Sequence, residues 1–273
     1  MKDGNLVQQQ TREDNINMKL ALIAIARNED HYLKEWYEYH HRIGFDDIYV
    51  YQNNWRYVEN TPSYVHLIEW DGTCQQIPAY NDFIENKSHD FDWGLFIDVD
   101  EFFVPIGFKD AREFFESCKH RFAIGLNWKL FGSNGLENAD YSKGVIERFT
   151  KSQVGFNQHI KMALNFEKLV REMIIDDIKF INPHFIGLGL RYNIVFSYDG
   201  SYMICGPFAP IYGNPTNIPY IAHYVTKSRE EFIERRTRIR ADTNSARSDL
   251  EGFWNEHNLN EVENLDVLRF NRK

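Results

Sequence analysis

The chain opens its ordered pattern at Lys19, where Leu20–Ala26 is a continuous apolar run of the kind expected for a parallel strand buried on both faces. It stops at the polar cluster Arg27–Asn28–Glu29–Asp30. Leu33, Trp36, Tyr37, His40 and Ile43 then recur at helical spacing, with Gly44 as the C-cap. Asp47–Gln52 and Val65–Trp70 read as further strands, ending at Asn53–Asn54 and Asp71–Gly72. A helix is predicted from Ile77 to Lys87, and Trp93 through Phe103 reads as a fourth strand that breaks off at carboxylates.

Later segments are less regular. Asp110–Cys118 predicts a helix and Phe122–Trp128 a strand. Val145–Phe149, Ile160–Leu164, Val195–Tyr198 and Tyr220–Val225 predict short β segments. Ser228 with Glu231 forms a capping box that starts a helix carrying Arg229, Arg235, Arg236, Arg238 and Arg240. The alternation predicts one α/β domain over residues 19–273, with a mixed, mainly parallel central sheet flanked by helices. Residues 19–105 make its first half, 106–242 its second and 243–273 a helical tail.

Strands that end in polar residues suggest a crevice along their carboxyl edges. Arg27, Asn28, Glu29, Asn53, Asp71, Asp98 and Asp100 are placed to line it, with Ala26 at the rim. In extended chain, Asp98 and Asp100 face the same side and repel unless a cation lies between them. Carboxylate oxygens suit Mg²⁺ or Mn²⁺. An acidic turn facing water is the alternative for so short a pattern.

Composition narrows the choice. A net charge of −9 argues against general nucleic-acid binding. Three widely spaced cysteines, Cys74, Cys118 and Cys205, with no C-x-x-C, read as free thiols in a reducing compartment. Residues 1–18 read as a polar, disordered leader without the apolar centre of a signal peptide, and no apolar run is long enough to span a membrane. A cytoplasmic location follows as the expectation. Aromatics at 15% suit either ring stacking or a large aromatic core.

Four blocks carry a resemblance. Asn28–Glu29, Tyr32–Trp36, Tyr39–His40 and Gly44–Phe45 form the first. Trp93–Phe102 forms the second, Ile160–Lys161 through Asn182–Phe185 the third, and Ala222–Tyr224 with Lys227–Phe232 the fourth. In this order they resemble the glycosyltransferase family 92 group and related bacterial family-2-type transferases of GT-A fold. Ala222 and the run from Arg236 depart from that pattern.

The resemblance implies an inverting, metal-dependent transferase that uses a nucleotide-sugar, most simply a UDP-sugar, and a glycan or lipid-linked saccharide acceptor. It implies Asp98, Asp100 and His223 as metal ligands, an imidazole favouring Mn²⁺. Lys161 and Lys227 become candidates for the diphosphate. Asn28, Glu29, Asn53 and Asp71 become candidates for the nucleotide and ribose, and Gln76 and Asn81 for the donor sugar. Glu137, Asp140, Glu147 and His184 are the candidate bases, between which spacing does not choose. The arginine helix could rest on anionic lipid at the inner membrane face. A two-metal nucleotidyltransferase or phosphohydrolase and a non-catalytic carbohydrate-binding protein are the other classes in play.

Overall fold

The computed structural model describes residues 18–171, 178–188, 195–197, 203–204, 206–209, 217–237 and 249–272. Residues 1–17, Tyr198, Cys205, Arg238 and Arg240, which carry expectations from the sequence, lie outside them.

The first half alternates as its sequence pattern predicts. It runs β1 (Leu20–Ala26), α1 (Leu33–Arg42), β2 (Asp47–Gln52), β3 (Val65–Glu69), α2 (Gln76–Asn86), β4 (Trp93–Phe96) and β5 (Glu101–Val104). Then come α3 (Ala111–Ser117), β6 (Ala123–Leu130), α4 (Val145–Arg148), β7 (Lys151–Ser152), β8 (Ile160–Asn165) and α5 (Phe166–Arg171). The remainder is β9 (Ile178–Asn182), β10 (Phe185–Leu188), β11 (Val195–Ser197), β12 (Met203–Ile204), β13 (Tyr220–His223), α6 (Arg229–Thr237), α7 (Leu250–His257), β14 (Val262–Glu263) and α8 (Asp266–Asn271).

Among the described residues, one mixed sheet follows the order β12-β11-β6-β8-β4-β1-β2-β3. Strands β3, β2, β1 and β4 are mutually parallel, and β8 runs antiparallel between β4 and β6. Strand β1 shows why its apolar run is unbroken. Leu20, Leu22, Ala24 and Ala26 enter one core layer with α1 and α3, while Ala21 and Ile23 enter the other with α2 and Phe96. The class is therefore α/β, with helices on both sheet faces.

Two local predictions change. Val145–Arg148 is a helical turn, α4, and not a strand. The carboxylate of Glu35 on α1 accepts the amide hydrogens of Val145 and Ile146 at 2.6 and 3.3 Å, satisfying donors that an isolated turn would leave orphaned. The Trp93–Phe103 run is also not one strand. Strand β4 stops at Phe96, residues 97–100 turn, and β5 leaves to pair antiparallel with β13. Asp98 and Asp100 thus sit in a turn, and simple strand alternation does not set their directions.

Side chains cap α3 and α6, the second as expected. Asp110 accepts from the amide of Glu113 at 3.0 Å. Ser228 and Glu231 exchange hydrogen bonds reciprocally, as a capping box requires. No helix among the described residues is long and apolar enough to cross a membrane.

Candidate functional site

The chain passes from β1 to β2 and β3 on one side, then returns through α2 to β4 on the other side of β1. In such sheets the crevice opens between the two strands where the order reverses. Here those strands are β1 and β4, and a cleft of about 790 Å³ lies at that edge. Ala26, Arg27, Asn28 and Glu29 line it from the end of β1, Asn53 from β2, Gln76 from α2 and Asp98 from the turn after β4. Trp128, His159, His184 and His223 line another wall. Arg235 and Arg236 of α6, with Phe253 and His257 of α7, also border the space.

The acidic turn is built by its neighbour in sequence. The Glu101 side chain accepts the Asp98 amide at 2.8 Å, and the Glu101 amide donates to the Asp98 carbonyl at 3.1 Å. Behind it, Lys161 Nζ lies 2.8 Å from Asp98 and 3.4 Å from Glu101, with no side-chain exposure. Gln76 donates to the other Asp98 oxygen at 2.8 Å. Asp100, expected to line the crevice, is not among its lining residues: it is buried, pairs with Arg235 and lies 3.4 Å from His223 Nε2.

These contacts set the charge states. Burial alone would raise Asp98, but Lys161 outweighs it and holds the carboxyl below its usual range. Burial likewise opposes ionisation of Asp100, yet Arg235 and His223 hold it well below the usual range. Glu101 differs: burial pushes it well above, against the pull of Lys161. Burial lowers His223, with Asp100 pulling the other way.

Asp100 and His223 carry donor atoms of the kind a divalent cation takes, and the His223 nitrogen that faces Asp100 is Nε2, 3.4 Å from Oδ2. One Asp100 oxygen, Oδ1, is buried without a hydrogen-bond partner, and so is His223 Nδ1. A carboxylate and an imidazole together suit Mn²⁺ better than Mg²⁺. No three His, Cys, Asp or Glu side chains among the described residues are grouped to hold an ion unaided. Substrate oxygens and water would have to complete the shell.

The other candidates divide. Lys161 is the buried counter-ion of the acidic turn and does not line the cleft. Lys227 is also buried, its ammonium 4.4 Å from the Tyr32 ring centroid, and it lines a small adjoining side pocket with Glu29 and Arg235. Burial and Arg235 lower its pKa.

Asp71 is exposed and taken by Arg56 at 2.8 Å, away from the cleft. Asn81 hydrogen-bonds both backbone groups of Phe180 and so anchors β9 to α2. Glu137, Asp140 and Glu147 are surface residues outside the cleft, so among the four candidate bases only His184 lines it.

Sequence reasoning missed Glu101, Trp128, His159, Phe253 and His257. Glu101 carried a signal, since a third acid after two aspartates in an apolar stretch needs buried compensation. The described arginines expected to form an open patch are engaged: Arg229 pairs with Glu251, Arg235 with Asp100, and Arg236 packs over Phe253.

No protein-family model and no curated protein matches the chain. Among solved structures it is similar to HddC from Yersinia pseudotuberculosis, with a TM-score of 0.35 and 11% identity over 78% of this chain and 96% of that one. That likeness is too distant to specify an activity.

Proposed function

We propose that the chain is a metal-dependent, inverting glycosyltransferase of GT-A type, moving a sugar from a nucleotide-sugar to a saccharide hydroxyl. One observation carries the reading: Asp98 lines the cleft at the strand-order reversal, Asp100 two residues on pairs with the cleft arginine Arg235, and basic neighbours hold both carboxyls below their usual range. Asp100 and His223 would hold the cation, with Asp98 adjacent to it. Such an ion stabilises negative charge on a departing diphosphate when bound.

The chain's own residues do the rest. Arg235 and Arg236 from α6, with Lys227 behind Arg235, offer positive charge to the phosphates. Asn28, with φ of +57°, turns the β1 edge so that it and Glu29 border the cleft. Asn53, tied to the carbonyls of Trp70 and Gly72 at 3.0 Å, gives the β2 edge a fixed polar group. Phe253 and His257 line the cleft from the α7 side.

A thermal-shift panel of UDP- and GDP-sugars with and without Mn²⁺ tests this. Metal-dependent stabilisation by a nucleotide-sugar is expected. Stabilisation by free saccharide alone would instead indicate a carbohydrate-binding protein, and stabilisation by nucleotide without any sugar preference would favour a nucleotidyltransferase or phosphohydrolase.

A further inference from the structure

Trp128 stands at the centre of a group of imidazoles in the cleft. His159 stacks on it with ring centroids 4.8 Å apart, and His184 meets it edge-on at 5.1 Å. The two imidazoles are themselves 5.7 Å apart. Both line the cleft, next to the wall that carries His223.

Hydrogen bonding fixes the tautomer of each ring. His184 Nδ1 lies 2.9 Å from the carbonyl oxygen of Ile160, which can only accept, so Nδ1 carries the hydrogen. His159 Nδ1 lies 2.8 Å from Asn157 Oδ1. The same oxygen accepts the backbone N–H of His159 at 2.9 Å, which identifies it as the amide oxygen, so this Nδ1 donates too. In a neutral ring the remaining nitrogen, Nε2, is then a bare acceptor.

Both rings are kept neutral. Burial and then Lys161 push His184 down to about 3. Burial and then His223 lower His159. An anion needs donors that a bare Nε2 lacks. Two neighbouring acceptors beside an aromatic ring match a neutral ligand with adjacent hydroxyl groups.

We propose that His159 and His184 form the hydroxyl-reading wall of a sugar subsite, each Nε2 accepting a hydrogen bond from a hydroxyl of one saccharide ring. Naming a saccharide rests on the transferase reading; the tautomers do not. His184 then orients a substrate hydroxyl as an acceptor and is a poor store for its proton.

The test is imidazole ¹⁵N spectroscopy on the full chain. Both rings should show hydrogen on Nδ1 and a bare Nε2 at about pH 8. Methyl glycosides of glucose, galactose, mannose and N-acetylglucosamine are then titrated with UDP and Mn²⁺ saturating. At least one should shift both Nε2 signals. Asn can keep the donation to the Ile160 carbonyl but lacks the far acceptor, whereas Gln places an oxygen near the Nε2 position. His184→Asn should therefore weaken glycoside binding about three- to tenfold, and His184→Gln should weaken it less.

A hydrogen on Nε2 in either free ring overturns the proposal. So does bound UDP with no Nε2 response to any glycoside, or equal losses in the Asn and Gln variants. If UDP fails to bind, the transferase reading falls. The glycosides are then titrated into the free protein, where Nε2 shifts support the subsite and their absence overturns it.

Discussion

Replacing Lys161 with Met removes one charge while keeping most of the side-chain volume. Lys161 Nζ lies 2.8 Å from Asp98 and 3.4 Å from Glu101, and both Lys161 and Glu101 have no side-chain exposure. Deleting one member of a buried ion pair leaves the other uncompensated, a loss of about 3–5 kcal/mol. Two facts set the pH dependence. Lys161 holds Asp98 below its usual range, and it opposes the upward push of burial on Glu101.

Without Lys161 both carboxyls rise above their unfolded values. A group raised on folding contributes stability at low pH that is lost as pH increases. In the wild type, the depressed Asp98 contributes in the opposite sense. The variant should therefore lose more stability at about pH 8 than at about pH 5. Urea denaturation at the two pH values measures this, with Glu101→Gln added to Lys161→Met expected to recover part of the loss. A deficit below about 1 kcal/mol that does not change with pH would refute the counter-ion role.

The Arg148–Glu231 pair is nearly free of solvent and closes at 2.7 and 2.9 Å, lowering Glu231 to about 2 against the push of burial. Its stability, about 3 kcal/mol, is present above pH about 4.5 and lost as pH falls toward 2. Denaturation of Glu231→Gln should lack that slope. A Cβ at Gly144 would fall on the Glu35 carboxylate, so Gly144→Ala should break the cap on α4 and cost about 1 kcal/mol. Glu35→Ala should cost a similar amount, and melting of the double variant should show no further loss. Asp98→Asn and Asp100→Asn should slow nucleotide release from a donor sugar about 100–1000-fold, with the far-ultraviolet dichroism unchanged. Full activity in either would remove that residue from the chemistry.

Much of the nucleotide-side edge is readable in the sequence, because β1, β2 and β4 are short apolar runs with polar stops. Periodicity therefore located Asn28, Glu29, Asn53 and Asp98 at the cleft. Other features depend on partners far along the chain. Glu35 builds a helical turn 110 residues away, where β-branched residues alone suggest a strand. Asp71 looks equivalent to Asn53 at a strand end, but Arg56 claims it. Lys161 carried a readable signal of another kind: a lysine inside Ile160–Lys161–Met162–Ala163–Leu164 must meet an acid when that strand is buried. The imidazoles around Trp128 of β6 come from the approach to β8, the β9–β10 turn and β13, and no local pattern joins them.

Calorimetric titration of UDP into the full chain, with and without Mn²⁺, and into Asp100→Asn, bears most directly on the cleft as a metal–diphosphate site. Wild-type binding should require Mn²⁺, and the Asn variant should bind UDP no better with the ion than without it. UDP binding of equal strength in all three titrations, or in none of them, would contradict a metal-bridged nucleotide in this cleft.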